Sequence, residues 1–132
     1  MADIRVLLAD DHALFRRGLA NLLASESDFE VVGEAVDGQQ ALDMARELMP
    51  DVILMDISMP RMDGLEATRR ITGEIPHARI VILTADGEGS FFEAVRSGAA
   101  GYLLKTVEPR ALYGTLQKVA RGLVASPSEV PR

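Results

Sequence analysis

Asp51-Val52-Ile53-Leu54-Met55-Asp56-Ile57-Ser58-Met59-Pro60 is the stretch that decides the fold. Val52 to Met55 form a short apolar run bounded by Pro50 and Pro60, the pattern of a strand buried on both faces, and such strands belong to parallel sheets. In an open parallel sheet, ligands collect outside the carboxyl ends of the strands. Asp56, just past the run, is thereby aimed at the expected site. Read alone, it could equally turn the chain before Ser58 and Pro60.

Working outward, Ile4–Ala9 is a second buried strand, and it ends in the acids Asp10 and Asp11. A helix is expected over Ala13–Ser25, with Leu14, Phe15, Leu19, Leu22 and Leu23 on the inner stripe and Arg16, Arg17 and Asn21 outward. Phe29–Ala35 reads as a strand. Asp37-Gly38 turns into a helix over Gln39–Leu48, which Pro50 ends. Beyond Pro60, a turn at Arg61 to Gly64 leads into a helix from Leu65 to about Thr72, with Leu65, Thr68 and Ile71 inward. Arg79–Leu83 is a fourth strand running into Thr84-Ala85. The glycine-rich Asp86–Ser90 reads as a mobile loop before a helix over Phe91–Ser97. Tyr102–Leu104 is a fifth strand ending at Lys105. Thr106 is the expected N-cap of the last helix, with Pro109 in its first turn and Leu112, Leu116, Val119 and Leu123 as its buried stripe. Residues 124–132 lose periodicity and read as a linker or tail behind a domain spanning 1–123.

Strands alternating with crossover helices predict an α/β fold: a doubly wound, five-stranded parallel sheet of order 2-1-3-4-5, flanked by five helices as in flavodoxin-like proteins. That order gathers Asp10, Asp11 and Asp56 at the switch point between the first and third strands. Composition agrees with one domain: 132 residues, 48% of them hydrophobic. There is no cysteine for a disulfide or thiolate metal site, and no run of membrane-spanning length. The expectation is a cytoplasmic protein with no membrane partner. With 20 acidic and 14 basic residues, the net charge of −6 has the wrong sign for gripping a phosphate backbone unaided.

Carboxylates gathered at one sheet edge repel by about 1 to 4 kcal/mol per pair at 4 Å, so the pocket calls for a cation. Oxygen ligands without cysteine favour a hard divalent ion, magnesium or manganese. Magnesium takes one or two carboxylates, keeps several waters and accepts a phosphate oxygen. The pocket therefore suits a phosphoryl group, with Asp56 as nucleophile, Lys105 paired to a phosphoryl oxygen and the Thr84 hydroxyl donating to another. Each residue has a plainer reading by itself. Lys105 could be a solvated strand-end lysine, Thr84 a strand former, Asp10-Asp11 a helix cap. Their joint position at four of the five predicted strand ends argues for a site. His12 and His77 read as surface or helix-start residues, and Met55, Met59 and Met62 as core or its flank.

With Asp10-Asp11, Asp56, Pro60, Gly64, Thr84-Ala85 and Lys105 in these places, the chain from Ile4 to about Leu123 resembles the receiver domain of two-component response regulators. Leu8-Ala9-Asp10-Asp11-His12 and Gly101-Tyr102-Leu103-Leu104-Lys105-Thr106 resemble the branch with a C-terminal helix-turn-helix (LuxR-type) DNA-binding domain. The resemblance implies that Asp56 accepts phosphate from a phosphohistidine on a sensor histidine kinase, and that the domain promotes its own phosphorylation and dephosphorylation. It implies direct metal ligation by Asp11, Asp56 and the Ser58 carbonyl, with Asp10 acting through water. It further implies that Thr84 and Lys105 hold the phosphoryl oxygens, and that Thr84 and Tyr102 act as switch residues altering the surface of the fourth helix, fifth strand and fifth helix. Phe91, Phe92, Tyr102 and Tyr113 are candidates for that surface. Homodimerisation on phosphorylation and DNA binding through a domain beyond Arg132 are the expected outputs. Thr106 stands where many receivers have a proline behind a cis bond, so a trans peptide is expected. Ser58 and Asp86 occupy positions that influence phosphate lifetime in the family. Three rivals stand beside this reading: a stand-alone receiver acting by protein docking, a haloacid-dehalogenase-type phosphatase, and a flavodoxin-like module. The phosphatase would need an acid where Ser58 stands; the flavodoxin would need a hydroxyl-rich loop where Asp10-Asp11 stand.

Overall fold

Alternation along each strand divides the core in two. Leu7, Ala9, Ile53, Met55, Ile80 and Ile82 are buried on one face of the sheet, and Val6, Leu8, Val52, Leu54, Val81 and Leu83 on the other. Nearly continuous apolar strands are what a sheet covered on both faces requires. The computed structural model describes residues 3–85 and 90–122. Its elements are β1 (Ile4–Ala9), α1 (Ala13–Ala24), β2 (Phe29–Ala35), α2 (Gly38–Leu48), β3 (Val52–Met55), α3 (Gly64–Glu74), β4 (Arg79–Thr84), α4 (Phe91–Arg96), β5 (Gly101–Leu104) and α5 (Pro109–Ala120). The strands pair in parallel in the order β2-β1-β3-β4-β5, as expected from the sequence. One face packs against α2, α3 and α4 through Leu42, Ala45, Ala67, Ile71 and Ala94. The other meets α1 and α5 through Leu19, Leu23, Leu112, Leu116 and Val119. Most of the Asp86–Ser90 loop, Leu123 and the 124–132 tail lie outside the described residues.

Local chemistry sets the helix starts. Asp37 caps α2 by accepting from the Gln40 amide at 2.8 Å, and Asp63 caps α3 by accepting from the Glu66 amide at 2.9 Å. The start of α5 corrects the sequence reading. Glu108, not Thr106, is the N-cap residue, and Pro109 is the first helical position. Proline disfavours the helical region for the residue before it, so this helix cannot begin earlier. Thr106 instead lies in a turn that the Val107 amide closes on the Leu104 carbonyl at 3.0 Å. All described peptide bonds are trans, the Lys105–Thr106 bond included.

Two further corrections fall on α1. Leu14, expected on the buried stripe, is 90% exposed. It stands at the rim of a groove of about 360 Å³ that it lines with Phe15, Gly18, Leu83, Lys105 and Leu112. Gly18, one turn on, has no side chain with which to fill that groove. Arg16, expected outward, is only 12% exposed at its side chain and reaches back over the strand ends.

The loop after β3 closes on itself at Gly64. Its amide donates to the Ile57 carbonyl at 2.8 Å, and a Cβ at this position would overlap the Asp56 carbonyl oxygen. Backbone this close to backbone leaves no flexible atom to give way. Gly64→Ala is accordingly expected to lower the unfolding free energy by about 2 kcal/mol or more in urea denaturation. Gly18→Ala, where nothing lies within 4 Å of the added carbon, is expected to raise it by about 0.5–1 kcal/mol. The opposite order would contradict this account of the loop.

Candidate functional site

The ladder does not stop where the strands do. The Asp10 amide donates to the Ala35 carbonyl at 3.0 Å, the Asp56 amide to the Ala9 carbonyl at 2.9 Å, and the Lys105 amide to the Thr84 carbonyl at 2.8 Å. These bonds hold the residues just beyond β1, β3 and β5 level with one another at the carboxyl edge of the sheet. Asp10, Asp56 and Thr84 are consequently buried, at 4, 5 and 6% exposure. Asp11 and Ser58 are exposed beside them. Asp10, Asp11, Asp56 and Lys105, singled out from the sequence, are thus brought to one pocket. Ser58 follows in the loop two residues after Asp56.

Lys105 is the cation within this cluster. Its Nζ lies 2.8 Å from Asp10 Oδ2 and 3.5 Å from Asp56 Oδ2. The lysine is therefore bonded to Asp10 and only near Asp56, whose buried Oδ2 has no hydrogen-bond donor among the described residues. Burial, and secondarily the Asp10 charge, push the Asp56 carboxyl above its ordinary range, against the opposing pull of Lys105 and the Ile57 amide. An orphaned oxygen on a buried carboxylate is costly unless another partner arrives.

Three neighbours were not recognised as site residues in the sequence. Lys105 Nζ stands 4.7 Å from the centroid of the Phe15 ring, so an aromatic face of α1 supports the ammonium. Arg16 donates from Nη1 to the Asp10 carbonyl at 2.7 Å and from Nε to Glu34 at 2.9 Å, tying α1 to the tips of β1 and β2. His12, read as a surface or helix-start residue, has its Nδ1 3.1 Å from Asp10 Oδ1 and 3.5 Å from Asp11 Oδ1. The available signal was proximity: all three fall within the first turn after the acidic pair.

Tyr102 is buried, with its hydroxyl 2.7 Å from the Ser90 hydroxyl and its ring edge-on to Phe91 at 5.4 Å. It thus joins β5 to the start of α4. Of the two adjacent phenylalanines, Phe91 is half-buried and Phe92 is 72% exposed.

Asp10, Asp11, His12 and Asp56 can each offer a ligand atom, and those atoms lie within 4.8 Å of one another. Oxygen donors in this number, one of them unsatisfied and buried, fit a divalent cation. Three carboxylates with one lysine leave the pocket net negative, which favours the same occupant.

A family model described as the response regulator receiver domain matches residues 6–117. YxjL of Bacillus subtilis, described as an uncharacterized transcriptional regulatory protein, is 46% identical over 120 residues, covering 90% of this chain and 55% of YxjL. A two-component response regulator of the LuxR family from Aurantimonas is 36% identical with a TM-score of 0.87, covering 96% of this chain and 92% of that one. RcsB, whose structure shows two dimers bound to two parallel DNAs, is 27% identical with a TM-score of 0.84, covering 98% of this chain and 66% of that one. The chain spans about half the length of the curated relatives it matches. Among the described residues, no helix is long and apolar enough to cross a membrane.

The raised Asp56 carboxyl has a consequence for stability. Above the unfolded value of 3.8 and up to the folded midpoint, the native state binds more protons than the unfolded chain, so stability falls as pH rises through that window and stays reduced above it. Asp56→Asn without divalent metal is expected to unfold later than the wild type at pH 7, by on the order of 1 kcal/mol, and the gap should close as pH approaches 4. Thermal melts across that range check it; a variant less stable at pH 7 would contradict the burial account.

Proposed function

The chain belongs to the response regulator receiver domain family, and we propose that Asp56 is its phosphoacceptor, taking a phosphoryl group from a phosphohistidine on a sensor histidine kinase. The observation that carries this is the unsatisfied Asp56 Oδ2, buried at a strand tip beside one lysine. A carboxylate oxygen attacks phosphorus, the phosphorus–nitrogen bond breaks, and its electron pair returns to the kinase imidazole, which takes up a proton. Little covalent work falls to the protein, so positioning and charge neutralisation supply the catalysis. Lys105 exchanges its bond to Asp10 for one to a phosphoryl oxygen, and the Thr84 hydroxyl donates to another. Asp11, Asp56 and the Ser58 carbonyl would hold a magnesium or manganese ion, with Asp10 acting through water, and that ion would supply the remaining neutralisation of the transferring oxygens.

The added phosphoryl brings about two negative charges and three strong acceptors beside Thr84 and Lys105. A state that contacts them is stabilised only while they are present. Thr84 and Tyr102 are the proposed switch pair. Motion at β4 reaches Tyr102, and the bond from Tyr102 to Ser90 carries it to α4. The output we propose is homodimerisation and control of transcription in the cytoplasm, with residues 1–123 as the receiver and 124–132 leading to a LuxR-type DNA-binding domain. Relatives named as transcriptional regulators, and RcsB as dimers on DNA, support this. The net charge of −6 supports assigning DNA contact to another part of the protein. Exposed apolar side chains that could meet a second copy lie at Leu14 beside its groove and at Phe92 and Val95 on α4.

Incubation with acetyl phosphate and Mg²⁺ is expected to add the mass of one phosphoryl group, and Asp56→Asn to add none. Lys105→Ala should slow the wild-type reaction by roughly 100-fold. Labelling of Asp56→Asn at the wild-type rate would overturn the assignment. In sedimentation, the phosphorylated chain is expected to shift to dimer. Phe92→Glu, on the α4 face that the Tyr102–Ser90 bond reaches, should abolish the shift. A phosphorylated chain that stays monomeric would overturn the dimer.

A further inference from the structure

His12 occupies the N-cap position of α1, yet its side chain makes no capping hydrogen bond. The ring turns instead to the carboxylates. Its Nδ1 lies 3.1 Å from Asp10 Oδ1 and 3.5 Å from Asp11 Oδ1, and its backbone amide donates to that same Asp10 oxygen at 2.8 Å. Two ligand atoms on one divalent ion, each about 2.1 Å from it, stand about 3.0 Å apart when adjacent and about 4.2 Å when opposite. His12 Nδ1 and Asp11 Oδ1, the two atoms that would share the ion directly, are 3.5 Å apart, between these spacings, and the full set of donors on Asp10, Asp11, His12 and Asp56 lies within 4.8 Å. An acidic cluster alone would not mark a ligand site. The independent sign is Asp56 Oδ2, buried in the same cluster without a hydrogen-bond donor.

We propose that His12 is a further ligand of this pocket, through Nδ1, and that it makes the site prefer imidazole-accepting transition ions such as Co²⁺, Ni²⁺ and Zn²⁺ over Mg²⁺. The inference rests on the reading of the pocket as a divalent-cation site and adds a selectivity to it. Ligation through Nδ1 leaves the ring proton on Nε2. Magnesium takes oxygen donors and dehydrates reluctantly, so it gains little from the imidazole. First-row transition ions gain a nitrogen ligand and bind more tightly along the series to copper. The ring is 66% exposed, so it can reorient toward an ion without opening the core.

The test is isothermal titration of the wild type, His12→Ala and Asp11→Asn with Co²⁺ alone and with Mg²⁺ alone, together with the visible absorption spectrum of the Co²⁺ form. His12→Ala is expected to weaken Co²⁺ about tenfold or more, to alter the cobalt bands, and to leave Mg²⁺ within about twofold. Asp11→Asn should weaken both ions. Retained Mg²⁺ binding shows that the pocket of His12→Ala is intact. Equal losses for both ions in His12→Ala, or unchanged cobalt affinity and bands, would overturn the role of His12 while leaving the divalent site standing. A wild type that binds neither ion would overturn the divalent reading itself.

Discussion

One ammonium among three carboxylates is the constraint on which the site depends. Parallel register sets the ends of β1, β3 and β5 level, and backbone bonds from Asp10, Asp56 and Lys105 to neighbouring strands extend that register past the last paired residues. The backbone there cannot spread apart without breaking the ladder, so the acids stay close whichever rotamers they take. Repulsion of about 1 to 4 kcal/mol per carboxylate pair is therefore built in, and a single lysine offsets only part of it. Lys105 bonds to Asp10 and leaves one oxygen of Asp56 unsatisfied. That residual imbalance is what a cation and a phosphoryl group relieve, and it sits on the residue best placed to react.

The rest of the molecule holds this imbalance in place. Two core layers grip the strands from both faces, so the tips are carried by rigid elements rather than loops. Above them, α1 contributes more than packing. Its Phe15 ring lies beneath the lysine, and its Arg16 binds both the Asp10 carbonyl and Glu34. The loop leaving Asp56 is pinned where Gly64 meets backbone. From the pocket, β4 and β5 lead through Tyr102 to Ser90 at the start of α4, a short path of packed and bonded groups between the reacting centre and an exposed face.

Much of this was legible in the sequence because the signals were periodic or positional. Apolar runs buried on both faces announced the parallel strands, and the acids and lysine directly behind them announced the pocket. Other features were decided by geometry that one-dimensional patterns do not carry. Leu14 fits a helical stripe, but the stripe does not reveal an open groove beside Gly18. Arg16 reads as a solvated cation until β2 is known to bring Glu34 within its reach. Thr106 has the chemistry of a cap, yet the conformational restraint of Pro109 moves the start of α5 to follow Glu108. His12 reads as an ordinary helix-start residue because its partners are recognised only when the ring is seen turned back onto them.

Asp56 is a buried carboxyl with Lys105 near it and no hydrogen-bond donor on Oδ2 among the described residues, and its carboxyl carbon reports on that environment directly. Its ¹³C chemical shift should be followed against pH without divalent ions and again with saturating Mg²⁺. The midpoint is expected above the ordinary carboxylate range in the metal-free protein and should fall when Mg²⁺ is present. An ordinary midpoint that Mg²⁺ leaves unmoved would contradict this reading of Asp56.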